Sequence, residues 1–274
     1  MTLTTLNVWL DVGFTTLYPI MLVALAAHFM GNVLTGRAKR RFGKQWEWPH
    51  HDSHPPFLPK FLHFQHVFSM IALGASGLLI RFPQFDRSPM RVVHYVFMVI
   101  VIINLVWRLW YAFASRQRDY KEFAINKRDI TTAPKVILYY IFVKSSKPHL
   151  GKYNVMQKGT YTIFVPLLII QAITGLMLFR VGIPFAGTSL YALSAGVIGA
   201  TGIFWVRTTH YIINWLFIIL TTIHVYLSVT EDFPAFLDFF GMGGLDPNNR
   251  HGDDHDEHEH DDEPAPAYAT ADHA

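Results

Sequence analysis

The 274-residue sequence contains no cysteine. A chain without cysteine cannot bind an Fe–S cluster through thiolates, build a disulfide framework or attach haem through a Cys-x-x-Cys-His motif. Any redox chemistry in this chain therefore requires a cofactor that is held without a covalent bond.

Charge is also scarce, at 16% of the residues, and five long runs lack it altogether. The runs are residues 12–36, 61–80, 92–107, 159–179 and 208–230. A helix needs about 20 apolar residues to cross a hydrocarbon core of about 30 Å. The first run has no preceding positive charge and is too long for a signal peptide, so it is predicted to stay as a membrane helix. The sequence thus predicts an all-α membrane protein with about five spans.

The distribution of Lys and Arg predicts the orientation of these spans. Most basic residues lie in the loops after the first and third runs, within residues 37–60 and 116–152, and few lie in the alternate loops. By the positive-inside rule the basic loops are cytoplasmic, which places the N-terminus outside and the C-terminus inside. Residues 181–206 are uncharged and rich in Gly, so they allow a sixth crossing, although the glycines and Pro184 favour an external loop or re-entrant segment.

Two histidines, His210 and His224, lie in the last apolar run, fourteen residues apart. On a helix they share nearly the same face and stand about 21 Å apart along the axis. With the predicted orientation, His94 lies at the same outer level as His210, and His63 lies at the same inner level as His224. Two stacked pairs of imidazoles suit two low-spin b haems, each with both axial positions filled by the protein.

Three of these histidines have a basic residue three positions earlier. Lys60, Arg91 and Arg207 precede His63, His94 and His210. On a helix each cation lies close to the histidine that follows it, where it can pair with a haem propionate. The alternative is that these cations are ordinary anchors at the membrane interface. His66 competes with His63 as a ligand because it lies one turn deeper on nearly the same face.

Several motifs resemble the integral-membrane di-haem cytochrome b subunits of respiratory NiFe-hydrogenases and formate dehydrogenases (gamma subunit). KFLHF followed by Ser76-Gly77 is similar to the opening of the first family helix, and this similarity favours His63 over His66. RVVHY with RLWYAF, GKYNVMQKGTY with ITG, and the His210 to His224 helix running into VTED resemble the other three. The resemblance implies a four-helix transmembrane di-haem bundle, and the apolar run at residues 12–36 predicts one additional N-terminal transmembrane helix outside the family pattern.

The resemblance also implies a function. The chain would be the quinone-reactive electron-transfer subunit of an oxidoreductase complex in a bacterial or archaeal cytoplasmic membrane, not catalytic alone. It would transfer electrons between a periplasmic Fe–S subunit, which serves a large metal-containing catalytic subunit, and menaquinone or ubiquinone, with no nucleic-acid partner. Polar residues near the inner pair are the candidates for the quinone site, namely His66, Tyr153, Asn154 and Gln157.

Three regions are predicted along the chain. Residues 1–59 form the N-terminal transmembrane helix and a basic cytoplasmic loop, residues 60–241 form the di-haem bundle, and residues 242–274 form a disordered, acidic, His-rich cytoplasmic tail. Within the bundle, residues 134–143 are too few to span and are predicted to form an interfacial helix. Two other functions compete: a stand-alone b561-type transmembrane reductase, and a membrane metal transporter lined by histidines.

Overall fold

The computed structural model describes residues 3–42, 57–82, 84–116, 118–146, 155–184 and 187–242. The prediction of an all-α membrane protein is confirmed, because the only strands in these ranges are Gly182–Ile183 and Thr188–Ser189, which pair in a small antiparallel hairpin. A 3-10 helix covers Asp119–Phe123. The α-helices are α1 Leu3–Leu34, α2 Arg37–Arg41, α3 Phe57–Arg81, α4 Arg87–Ala114, α5 Lys127–Tyr140, α6 Val155–Met177, α7 Leu190–Glu231 and α8 Phe233–Phe239.

Five of these helices are long and apolar enough to cross a membrane, as predicted, and they make the chain a multi-pass membrane protein. They are α1, α3, α4, α6 and α7. Many of their large apolar side chains are exposed, which is the expected state for groups that face lipid rather than water.

Helix α7 is the element that the other spans share. Its Trp215 stacks on Phe14 of α1, with ring centroids 5.5 Å apart, and its Phe217 ring lies 5.5 Å from that of Phe164 of α6. Helix α3 lies against α7 and is also tied to α4, where buried Asn104 donates to the Leu62 carbonyl oxygen at 2.8 Å. Because α7 touches α1, α3 and α6, side chains at different heights along it meet partners from different helices.

The expectation for residues 181–206 was an external loop or a re-entrant segment, and the loop is wrong for residues 190–206, which belong to α7. The sequence does not indicate this helix because Gly196, Gly199 and Gly202 lie in it and glycine disfavours helices. The helix is interrupted at Gly199, whose φ of 68° and ψ of −178° are not helical. The nine residues before Gly199 extend only about 13 Å, so this segment is not a sixth crossing.

Replacing Gly199 with alanine is expected to lower the free energy of unfolding by about 1–3 kcal/mol, because only glycine reaches this backbone conformation without strain. Gly196 is the matched control, since it lies three residues earlier in a helical conformation with open space around it. Gly196→Ala is expected to be neutral or stabilising. Equilibrium unfolding in detergent measures both variants, and equal effects would contradict this account of the interruption.

The predicted interfacial helix is present as α5, but it begins at Lys127 rather than near residue 134 and ends at Tyr140. Its start is fixed by a capping box, in which the Asn126 side chain accepts from Asp129 N–H and the Asp129 side chain accepts from Asn126 N–H, each at 2.9 Å. Lys158 of α6 also donates to Asp129 Oδ2 at 2.9 Å. Asp129 therefore joins α5 to the start of α6.

A pH dependence follows from this carboxylate. The Asn126 backbone N–H, followed by the Lys158 ammonium group, holds the pKa of Asp129 below its ordinary value. A carboxyl whose pKa falls on folding stabilises the protein above its unfolded pKa of about 3.9, and this contribution is lost as the pH falls through the folded pKa. In the Asp129→Asn variant the free energy of unfolding is expected to fall less steeply with decreasing pH below about pH 4. Unfolding at a series of pH values measures this difference. Identical profiles for the two proteins would contradict this role.

Some predicted features lie outside the described residues. They are the quinone candidates Tyr153 and Asn154 and the acidic tail from residue 243 onward. The three regions predicted along the chain remain predictions.

Candidate functional site

The structure brings the four predicted histidines together in two facing pairs. The ring centroids of His94 on α4 and His210 on α7 are 6.3 Å apart, with an angle of 65° between the ring planes. Those of His63 on α3 and His224 on α7 are 6.4 Å apart, with an angle of 59°. These are the pairs expected from the depths of the residues in the membrane.

The separation within each pair matches the geometry of a shared metal ion. A metal bonded to two opposed imidazole nitrogens at about 2.0–2.1 Å each holds the ring centroids about 6.3 Å apart. In the described ranges no three His, Cys, Asp or Glu residues gather in a position to hold a metal ion. Each pair therefore offers two ligands, which suits a metal whose other ligands come with a cofactor.

Hydroxyl groups beside the first pair define the orientation of both rings. His94 Nδ1 lies 2.9 Å from Ser76 Oγ on α3, and His210 Nδ1 lies 2.9 Å from Thr174 Oγ1 on α6. A metal-bound histidine usually donates its other ring N–H to such a partner. With Nδ1 engaged, Nε2 is the nitrogen that remains for a metal.

The glycine after each hydroxyl residue leaves room for the imidazole. A Cβ atom added to Gly77 would lie 3.4 Å from Cε1 of His94, and one added to Gly175 would lie 3.3 Å from Cε1 of His210. Gln171 is the other polar neighbour, since its Nε2 lies 3.3 Å from Nε2 of His210 and its Oε1 is buried without a hydrogen-bond partner. A haem can bind between His94 and His210 only if the Gln171 side chain moves away from Nε2 of His210. The separation of the two rings and the hydrogen bonds at Nδ1 fit the cofactor.

The second pair is enclosed by α8, a short helix that was not predicted. The ring of Phe239 meets that of His63 edge to face, with centroids 4.1 Å apart. Lys60 reaches the same helix, where its Nζ donates to the Asp238 carbonyl oxygen at 2.5 Å and lies 3.7 Å from Asp238 Oδ1. The structure thus gives Lys60 a protein partner close to His63.

The two predicted cations near the first pair are exposed. Arg91 lies one turn before His94, and Arg207 lies one turn before His210. Arg207 Nη2 donates to the Tyr191 hydroxyl at 3.1 Å, and the Arg180 guanidinium lies 4.2 Å from the centre of the Tyr191 ring. Arg207 is thereby held near the end of the bundle that contains His210.

Of the described quinone candidates, Gln157 lies close to a paired histidine. It lines a cavity of about 40 Å³ between α6 and α7, together with Thr160, His224 and Ser228. His66 lies one turn from His63 on α3 and is opposite no other histidine ring in the described ranges. The structure therefore pairs His63, rather than His66, with His224.

Three residues contact the paired histidines in ways that the sequence did not predict: Ser76, Thr174 and Phe239. The sequence does contain a signal for the first two, because Ser76-Gly77 and Thr174-Gly175 repeat a hydroxyl-glycine dipeptide in two predicted spans. No comparable signal precedes Phe239, whose position depends on the turn between α7 and α8.

A helical membrane protein with two facing histidine pairs at two depths has the architecture of a b-type cytochrome, the class that holds haem b without covalent attachment. Residues 54–241 match the family described as "Prokaryotic cytochrome b561", and the chain belongs to this family. It is also 24% identical over 189 residues to the "Probable Ni/Fe-hydrogenase B-type cytochrome subunit" of Rhizobium leguminosarum bv. viciae, covering 62% of this chain and 77% of that protein. The resemblance drawn from the motifs is therefore confirmed.

Proposed function

We propose that the chain is the membrane-anchoring di-haem subunit of a respiratory complex of the hydrogenase type, and that it transfers electrons between a periplasmic Fe–S subunit and the quinone pool. The observation that carries this proposal is the pair of imidazole separations, 6.3 and 6.4 Å, at two levels of one bundle. The chain serves as a conduit and depends on its partners for catalysis.

In this proposal His94 and His210 hold one haem b, and His63 and His224 hold the other. Each bound haem supplies a one-electron Fe(III)/Fe(II) couple. Because the protein fills both axial positions, no open position remains at which a substrate can bind the iron. Arg91 and Arg207 lie at the boundary where the propionates of the first haem would lie, so they could pair with them. Lys60 could pair with a propionate of the second haem if it gave up its contact with Asp238.

The orientation rests on the basic loops. Helix α2 contains Arg37, Lys39, Arg40 and Arg41, and this cluster follows α1 at the end of the bundle that holds His63 and His224. The positive-inside rule makes this end cytoplasmic, with the N-terminus in the periplasm and the C-terminus in the cytoplasm. His94 and His210 then lie next to a periplasmic partner.

The partner is proposed from the resemblance to hydrogenase cytochrome subunits. The chain has no cysteine and so holds no thiolate-bound Fe–S cluster of its own, and we propose that an Fe–S subunit docks at the His94–His210 end. The relative that is named a Ni/Fe-hydrogenase cytochrome subunit favours a hydrogenase over a formate dehydrogenase as the catalytic partner.

We place the quinone near His224 on the cytoplasmic side. Gln157 and Thr160 offer polar groups beside His224, and Ser228 lies one turn further along α7. Menaquinone and ubiquinone both carry two carbonyl oxygens that accept hydrogen bonds from such groups. The cavity is small, so the α6 and α7 side chains must separate to admit a quinone ring. Tyr153, Asn154 and His66 remain candidates beside them.

Purification of the tagged chain from its native membranes tests the proposal. We expect two haem b per chain, co-purification of an Fe–S subunit with a large metal-containing subunit, and reduction of the haem absorption by H₂ followed by reoxidation with a quinone analogue. Reduction by formate instead of H₂ would point to a formate dehydrogenase. A lone, active haem protein would replace the proposal with a stand-alone reductase, and a colourless chain that binds divalent metal would replace it with a transporter.

A further inference from the structure

The two helices that flank the His94–His210 pair present hydroxyl groups in the same way. Ser76 on α3 contacts Nδ1 of His94 at 2.9 Å, and Thr174 on α6 contacts Nδ1 of His210 at 2.9 Å. Neither hydroxyl residue lies on the helix of the histidine that it contacts. Each therefore fixes a ring relative to a neighbouring helix.

The direction of both hydrogen bonds follows from the position of the hydroxyl protons. Ser76 Oγ donates to the Ala72 carbonyl oxygen at 2.6 Å, and Thr174 Oγ1 donates to the Ile170 carbonyl oxygen at 2.8 Å. A hydroxyl whose single proton is donated to a carbonyl oxygen accepts from the imidazole, and it then faces a ring that is protonated at Nδ1. In this arrangement Nε2 of His94 and Nε2 of His210 are the nitrogens that can bind a metal, once Gln171 Nε2 has moved away from Nε2 of His210.

The glycine that follows each hydroxyl residue completes the arrangement. Gly77 and Gly175 lie against Cε1 of the two rings, at the distances given above; an added Cβ would be in van der Waals contact with the ring at Gly77 and slightly tighter than ordinary contact at Gly175. Hydroxyl and glycine together set the depth and the rotation of each ring. Ser-Gly on α3 and Thr-Gly on α6 thus act as equivalent supports on the two sides of one site.

The His63 ring is packed differently. Its described close neighbour is the phenyl ring of Phe239, with centroids 4.1 Å apart. A phenyl ring accepts no proton from an imidazole in the way that a hydroxyl oxygen does. His63 therefore differs from His94 and His210 in the polarity of the described group that its ring contacts.

We infer that Ser76 and Thr174 are positioning residues that orient His94 and His210 and lower the reduction potential of the haem between them. This inference rests on the proposed function. An Nδ1–H that donates a hydrogen bond makes the imidazole a stronger electron donor to a metal bound at Nε2. Stronger donation stabilises the ferric state, and hydrogen bonding around the ligands is an established control on haem potential.

The test is a spectroelectrochemical titration of the purified complex, with the electron paramagnetic resonance of the two ferric haems as a second readout. We expect Ser76→Ala and Thr174→Val each to raise one of the two midpoint potentials, to raise it further together, and to leave the other unchanged. Ser76→Thr and Thr174→Ser keep the hydroxyl and are expected to retain the original potentials. Ser69→Ala is the matched control, because Ser69 is a buried serine two turns earlier on α3.

A second variant separates electronic from packing effects. Ser76→Cys preserves the size of the side chain but replaces the oxygen with a poor acceptor, so it is expected to raise the same potential with both haems retained. Two haems with unchanged potentials in the Cys and Val variants would overturn the inference while leaving the proposed function intact. A wild-type chain without haem would instead overturn the proposed function.

Discussion

On the proposed assignment, His210→Ala is expected to reduce the number of six-coordinate haems per chain from two to one. His210 faces His94 across 6.3 Å, and without it a haem at this level keeps one protein ligand. A haem held by one imidazole without a covalent bond is either lost or left five-coordinate, with a spectrum distinct from a bis-imidazole haem. The haem content measured by extraction and the absorption of the reduced protein both report this change.

His224→Ala is expected to remove the other haem, because His224 faces His63 at the opposite level of α7. The two losses are expected to be independent, so the double variant binds none. Added imidazole fills the space left by either alanine and should restore part of the six-coordinate spectrum. His66→Ala and His28→Ala are the controls. Two haems that both keep a bis-imidazole spectrum in the His210 variant, or loss of one haem in the His66 variant, would contradict the assignment.

Glu231→Gln is expected to destabilise the protein by about 3–5 kcal/mol, because it leaves the charge of Arg41 buried without its counter-ion. Arg41 Nη1 lies 2.7 Å from Glu231 Oε1, and the two side chains are 5% and 6% exposed. The same guanidinium donates to the Thr230 carbonyl oxygen at 2.5 Å and to the Tyr139 hydroxyl. Substitution by glutamine preserves the shape of the side chain, so the loss reports the charge.

The cost of breaking this pair is measured by unfolding in mixed detergent, with three comparisons. Arg41→Met is expected to cost a similar amount, and the double variant is expected to cost less than the sum of the two, because the residues are in direct contact. Arg40→Met is the control, since Arg40 is adjacent but exposed, and it should stay within about 0.5 kcal/mol of the parent protein. A Glu231→Gln protein as stable as the control would contradict the role of the pair.

This ion pair explains how α1 and α2 join the bundle. Arg41 of α2 is bound at the C-terminal end of α7, and at the opposite end of the bundle Asp11 of α1 accepts from Arg81 of α3 at 2.9 Å. Between them, His28 Nδ1 lies 2.5 Å from the Tyr226 hydroxyl. Although α1 precedes the region that matches the family, it is connected to the histidine-bearing helices near both ends and in between.

The spans and the histidine pairs were predictable because they depend on local signals. Uncharged runs of about 20 residues indicate crossings, and the alternation of basic loops assigns each histidine a depth. His94 and His210 are then matched without any knowledge of packing. The fourteen-residue spacing of His210 and His224 places both on one face of α7.

Other features depend on contacts between residues that are far apart in sequence. The start of α7 at Leu190 was not predicted because a Gly-rich segment resembles a loop, whereas residues 190–206 are helical with an interruption at Gly199. The hydrogen-bond partners of His28 are the Tyr226 hydroxyl on α7 and the Tyr140 carbonyl oxygen on α5, which lie 198 and 112 residues away in sequence. Local patterns carry no information about such pairings.

The location of iron tests the central claim most directly. An anomalous difference map recorded at the iron absorption edge from crystals of the purified protein shows each iron without reference to the fitted side chains. We expect two peaks about 21 Å apart, one between His94 and His210 and one between His63 and His224. A single peak, no peak, or a peak beside His66 in place of His63 would contradict the account.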